Sequence, residues 1–146
     1  MCIRDSVYIK QQTTLNLMQI HREAKQYNPK FILIDQLNKI DGEGKTDLEK
    51  LTNVIRSLKI LAGDIKTPLI ILHQISRAGA DTERPMMHQL KGSGAIEEEA
   101  DVVLLLGVDA KECITSVYCD KNRSFEGKVG KYDFRYDVST GMYKEF

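Results

Sequence analysis

A chain of 146 residues with 42% hydrophobic content can bury one ordinary core and has no room for two. Its 21 basic and 21 acidic residues cancel, which excludes capture of nucleic acid by overall charge and leaves only local contacts. No apolar run approaches the roughly 20 residues of a membrane span, so the chain reads as a soluble protein with no membrane partner.

The leader MCIRDSVYIK has no apolar centre of the kind a signal peptide needs and no periodicity. Residues 1–13 are therefore expected to be a leader that is partly non-native or disordered, with MCIRDS a cloning or sequencing remnant at the edge of a truncated reading frame. The folded part is expected to run from 14 to 146. From Thr14 the residues Leu17, Ile20, Ala24 and Tyr27 recur at helical spacing until Asn28-Pro29 stops them. FILI at 31–34 follows as a buried strand running straight into Asp35. Leu48, Leu51, Ile55, Leu58, Ala62 and Ile65 then mark a long helix from Thr46 to Lys66, which Thr67-Pro68 ends. LIIL at 69–72 and VVLLL at 102–106 are two further apolar strands, too uniform to have a solvent face. Such strands separated by helices predict a mainly parallel sheet with helices on both sides.

The polar stretch from Ser76 to Gly94 reads as a long loop with at most a short helix, a length usually kept for function. A helix is expected to start near Ala95, with Glu97, Glu98 and Glu99 in its first turn, where carboxylates favour the macrodipole. Beyond Gly107 the segments ITSVYC, KVGKYDFRY and MYKEF alternate and are separated by Gly-containing turns, which predicts antiparallel strands closing the sheet edge. Cys2, Cys113 and Cys119 have no paired metal spacing. The last two are six apart in one predicted strand, about 20 Å by strand rise, too far for a disulfide. Reduced thiols and a cytoplasmic setting follow.

Four places carry possible chemistry. In open α/β sheets, ligands bind at the carboxyl ends of the strands, where Asp35 could hold magnesium beneath a triphosphate or could merely end a strand. Gln74, just past the second apolar run with Arg77 three residues later, could hydrogen-bond a terminal phosphate or simply face water. Lys91, Gly92, Ser93 and Gly94 make a small cationic loop whose freed amides suit a phosphodiester backbone, or a solvated turn that caps the next helix. Lys121 and Arg123, two apart at a strand end, point the same way and could reach a triphosphate across a subunit boundary, or face solvent. His21, His73 and His88 read as structural or solvated histidines.

In order, these pieces are an apolar strand to Asp35, a long helix, a strand to Gln74, then RPM, LKGSGAIEEEADVVLLL, KNR and a closing aromatic hairpin. That order, over residues 14–146, resembles the C-terminal motor domain of DnaB-type replicative DNA helicases. The resemblance implies a RecA-like α/β fold, here truncated, whose mainly parallel sheet is flanked by helices and carries a C-terminal antiparallel hairpin edge. It also implies a hexameric ring that hydrolyses ATP with Mg2+ at subunit boundaries and translocates on single-stranded DNA, with a primase and a helicase loader as further partners in a bacterium or in a phage's bacterial host. By matching position, Asp35 would be the magnesium-associated acid of the Walker B strand and Gln74 the phosphate-sensing glutamine. Lys91, Gly92 and Gly94 would lie on the DNA-gripping loop, while Lys121 and Arg123 would be the cations given to a neighbour's nucleotide.

There is no GxxxxGK[ST] in the chain, and GEGKT at 42–46 follows Asp35 instead of preceding it. Because the family carries its phosphate loop and catalytic glutamate upstream of the Walker B strand, the chain is expected to be the second half of a motor domain, inactive alone. Gln36, His73 and Gly92 depart from the residues common in the family. Two other readings are a related RecA-like ATPase, of recombinase or clock type, and a stand-alone, non-catalytic DNA-binding or ring-modulating protein.

Overall fold

The computed structural model of the chain describes residues 2–3, 7–12, 14–75, 84–90, 92–123 and 129–145. The chain divides into two compact units, Met1–His73 and Gln74–Phe146.

In the first unit, short strands β1 (Cys2–Ile3) and β2 (Val7–Tyr8) pair antiparallel. Tyr8 stacks on Tyr27 at 4.4 Å between ring centroids, and Lys10 pairs with Glu23. Helix α1 (Leu17–Tyr27) starts where the Asn16 side chain accepts from the Met18 amide at 2.8 Å, and ends where Asn28 turns left-handed ahead of Pro29. Helix α2 (Asp47–Ile65) opens on a reciprocal cap, with Glu49 N–H donating to Thr46 Oγ1 at 3.2 Å and Thr46 N–H to Glu49 Oε2 at 3.3 Å. Lys66 closes it in the left-handed region. Strands β3 (Ile32–Asp35) and β4 (Leu69–Leu72) pair parallel, Ile32 opposite Leu69 and Asp35 opposite Leu72.

Among the described residues, the buried apolar set of this unit is Ala24, Ile34, Leu37, Ile40, Val54, Ile55, Leu58 and Leu61, with Thr67 the buried polar residue. The inward stripe of α2 is thus turned from the expected one, since Val54 and Leu61 are buried while Leu48 is exposed. Beyond β3 a 3-10 turn, Leu37–Lys39, buries Leu37, and Leu15 ties it down by donating to Lys39 O at 2.8 Å and accepting from Asp41 N–H at 2.9 Å. Gly42 lies so close to α2 that a β-carbon there would sit 2.5 Å from Val54 Cγ2 and 2.9 Å from Lys50 O.

The second unit is a four-stranded antiparallel meander of β5 (Val102–Asp109), β6 (Ile114–Asn122), β7 (Gly130–Asp137) and β8 (Met142–Glu145). Ahead of it come a 3-10 turn, Met87–Gln89, and helix α3 (Ser93–Glu99). Leu90, Val103 and Leu105 form its core, packed by Ile75, Met87, Ile96, Ala100 and Tyr118. Pro85 is wedged against Gly107, where an added β-carbon would meet its Cδ at 3.3 Å, and Arg84 pairs with Asp120 at 2.9 Å while lying over the Tyr118 ring.

Several expectations are corrected by these placements. The third apolar strand, β5, pairs antiparallel with β6. The apolar strands do have solvent faces, because successive side chains alternate: in β3 Ile34 is 3% exposed and Leu33 56%, in β5 Leu105 2% and Leu104 57%, and in β4 half-buried and exposed residues alternate. Helix α3 begins at Ser93, so Glu97, Glu98 and Glu99 occupy its end, where the macrodipole disfavours carboxylates. Cys113 is in the turn before β6 at φ 53°, whereas Cys119 is buried within the strand.

Candidate nucleotide and DNA site

Asp35 is the last residue of β3, at the carboxyl end of the parallel pair, and its carboxylate is exposed beside Leu72. The peptide that follows it, Asp35–Gln36, is cis. The strand end is held on both sides, by the parallel ladder to β4 and by the buried Leu37 turn that Leu15 clamps. Among the described residues no group of three His, Cys, Asp or Glu could hold a metal. A lone strand-end carboxylate fits a magnesium that arrives with a triphosphate and keeps most of its waters, not a resident ion in a protein cage.

Gln74 lies just past β4, exposed. Its neighbour Ile75 bridges Leu90, so the chain leaving Gln74 is bonded to the residue just before the cationic loop. Lys91 and Arg77 lie outside the described residues. Gly92 is the N-cap of α3 at φ 76° and ψ 27°, a left-handed conformation that suits glycine. Gly94 is exposed within the first turn, where an added β-carbon would meet nothing within 4 Å. The expected loop therefore becomes helix at Ser93.

Lys121 and Arg123 are brought together, with a β-bulge aiming them. The register passes from Cys119 opposite Leu104 to Lys121 opposite Val103, leaving Asp120 as the extra residue. Facing the inward-pointing Val103, Lys121 lies on the side of the sheet that Ile96 and Ala100 cover. Lys121 Nζ donates to Glu97 O, Arg123 Nη2 donates to Glu98 O at 2.6 Å, and the Arg123 amide donates to Asp101 O at 2.8 Å. Sequence reasoning missed this docking onto α3. The one signal for it was the run of three glutamates, which at a helix end calls for nearby cations.

The GEGKT stretch does not form a phosphate cradle. Its Thr46 caps α2, and Glu43 O accepts from Asn53 Nδ2 at 2.9 Å, which lays the segment along that helix. No helix among the described residues is long and apolar enough to cross a membrane.

The family model for the DnaB-like helicase C-terminal domain matches residues 2–145. The replicative DNA helicase DnaB of Treponema pallidum (strain Nichols) is 30% identical over 139 residues, covering 91% of this chain and 31% of that protein. A solved DnaB-like replicative helicase, described with its interactions with primase, superposes with a TM-score of 0.77 at 26% identity over 90% of this chain and 35% of its own. A KaiC-like protein from the archaeon Pyrococcus horikoshii OT3 shares the fold less closely, with a TM-score of 0.57 at 23% identity over 83% of this chain and 51% of its own. The chain thus spans about a fifth to a third of the length of the curated helicases it matches. With a RecA-like helicase fold and a family match along almost its whole length, the chain belongs to the DnaB-like helicase C-terminal domain family.

Proposed function

We propose that the chain is part of an ATP-dependent replicative DNA helicase, one that assembles as a hexameric ring in the cytoplasm of a bacterium or of a phage's bacterial host and unwinds duplex DNA by translocating on a single strand. The match of the helicase family model over residues 2–145 carries this reading. The higher structural similarity to a DnaB-like helicase than to a KaiC-like protein favours it over the clock-type alternative.

In this reading Asp35 is the residue that would hold the magnesium accompanying the triphosphate, an ion that would supply positive charge against the phosphates. Gln74 hydrogen-bonds the terminal phosphate, and its state reaches the DNA loop through the bridge between Ile75 and Leu90. Lys91, Gly92 and Gly94 meet the DNA backbone. Lys121 and Arg123 stabilise charge on a neighbouring subunit's nucleotide. A primase is a natural partner, since the solved relative is described with one, and a helicase loader is the other.

The test uses the longer protein that contains this chain. Asp35→Asn is nearly isosteric but carries no charge to offset the metal, so ATP turnover should collapse while folding and nucleotide-independent DNA binding persist. Near-normal turnover would make Asp35 an ordinary strand end.

A further inference from the structure

Tyr118 and Lys121 are three residues apart in β6, a spacing that puts side chains on opposite faces of a regular strand. Here they share a face, because Tyr118 stands opposite Leu105 and Lys121 opposite Val103, both of them core residues. Asp120, the extra residue of the bulge, makes up the difference. In a ladder without the bulge, Asp120 would stand opposite Val103, and Lys121 and Arg123 would turn to the other face. The choice between these two registers decides where the cations are.

Backbone pairing does little to make that choice. Among the described residues the β6–β7 ladder ends at Cys119 opposite Gly130, so past Cys119 the strand is laddered to β5 alone. Charge makes the choice in two ways. The Asp120 carboxylate accepts from Arg84 Nη2 at 2.9 Å, and its side chain is only 15% exposed, which makes separating the pair costly. Arg84 is itself fixed, with its guanidinium 5.2 Å from the centroid of the Tyr118 ring and the next residue, Pro85, buried against Gly107. In the other register the same carboxylate would stand where Lys121 Nζ now donates to Glu97 O, at the end of α3, whose carbonyl groups and three glutamates repel it. One negative charge is thus drawn to the bulge and driven from the alternative.

We propose that Asp120 is a positioning residue for the two cations: its charge, held by Arg84, selects the bulged register and so sets Lys121 and Arg123 on the α3 side of the sheet. This rests on the functional reading above, in which those cations serve a neighbouring subunit's nucleotide, and adds what aims them.

The experiment uses the full helicase and compares Asp120→Lys with deletion of Asp120. Asp120→Lys ends the attraction to Arg84 and supplies an ammonium that can itself take Glu97 O, so the ladder should slip by one residue. A crystal structure should then show residue 120 opposite Val103 and Arg123 turned away from Glu98 O. The kcat for ATP hydrolysis should fall about tenfold to a hundredfold, with KM for ATP held within about twofold. Deletion makes Cys119 and Lys121 neighbours, and an ordinary ladder then places Lys121 opposite Val103 with no bulge at all, so kcat should stay within about threefold of the parent. A merely structural ion pair predicts the reverse order, since the deletion is the heavier lesion. Where Asp120→Lys does not assemble, Asp120→Asn keeps the size and loses the charge, and is read in its place by the same criteria with a kcat loss of about threefold or more. The inference is overturned if the charge variant keeps the bulged register, if its kcat is normal, or if the deletion loses as much. Arg123→Ala in the same assay keeps the two ideas apart: undiminished hydrolysis there would overturn the trans-cation reading, whereas the register seen in the crystals judges Asp120 by itself.

Discussion

Asp137 illustrates how far a single exposed side chain can be organised by its turn. Hydrogen bonds from the Ser139 hydroxyl at 2.6 Å, then from Lys144 at 3.0 Å, lower its carboxyl from the usual 3.8 to about 2. A depressed folded-state value means that the group stabilises the β7–β8 hairpin fully above 3.8 and loses that contribution as pH falls through about 2. Acid titration followed by the chemical shifts of residues 137–144 should show the hairpin loosening in that window, and Asp137→Asn should remove the transition. Gly42 is a residue whose identity the packing dictates. Gly42→Ala drives a β-carbon into Val54 and the Lys50 carbonyl, and should lower stability by about 1–3 kcal/mol in denaturant unfolding. Residue chemistry was unevenly legible. Asp35 at a strand end could be read from an apolar run that stops at a charge, because that pattern has few other causes. The role of Glu97 to Glu99 was misread because Gly92 and Gly94 look like loop, whereas a left-handed glycine can open a helix as its N-cap. Their position thus moved from first turn to last, and with it the sign of their interaction with the helix.

At the scale of elements, local chemistry made most boundaries readable and pairing made the rest unreadable. Helix α2 was placed within a residue at each end because Thr46, Glu49 and Thr67-Pro68 are start and stop signals in themselves. Strand β4 was found at its full extent for a similar reason. The direction of β5 was not, since an apolar run of that length fits a parallel or an antiparallel neighbour equally well. Nor could any local pattern reveal the bulge at Asp120, which depends on what β5 offers across the ladder. That bulge matters to the site because it decides which way Lys121 points. Thr46→Ala tests the element whose seating is clearest: it removes one half of the reciprocal cap on α2 and should cost about 1 kcal/mol in unfolding free energy. The secondary structure of the second unit should be unchanged. A loss of helical signal much beyond the first turn would show that the cap nucleates α2 instead of only terminating it.

For the whole molecule, the proposed trans role of Arg123 makes a geometric prediction about which subunit it would serve, its own or another. The guanidinium rests on the Glu98 oxygen in its own unit, and nothing in that docking supplies a triphosphate. The chain has no GxxxxGK[ST] loop, so by itself it should show no magnesium-dependent ATP hydrolysis in a single-turnover assay. In the longer protein, Arg123→Ala should cost roughly three to five orders of magnitude in hydrolysis if the side chain acts as fingers do in other nucleotide hydrolases. Strand binding with a non-hydrolysable nucleotide should be far less affected, provided the ring assembles. Mixing makes the direction of donation measurable. Arg123→Ala subunits are combined with subunits that keep Arg123 but have an inactivated phosphate loop, neither of which hydrolyses ATP alone. A finger acting in trans restores hydrolysis at each site where an intact loop faces an intact Arg123, so activity should rise and then fall with the mixing ratio. A side chain acting within its own subunit restores none at any ratio, and that flat line would return Arg123 to the role of a helix cap.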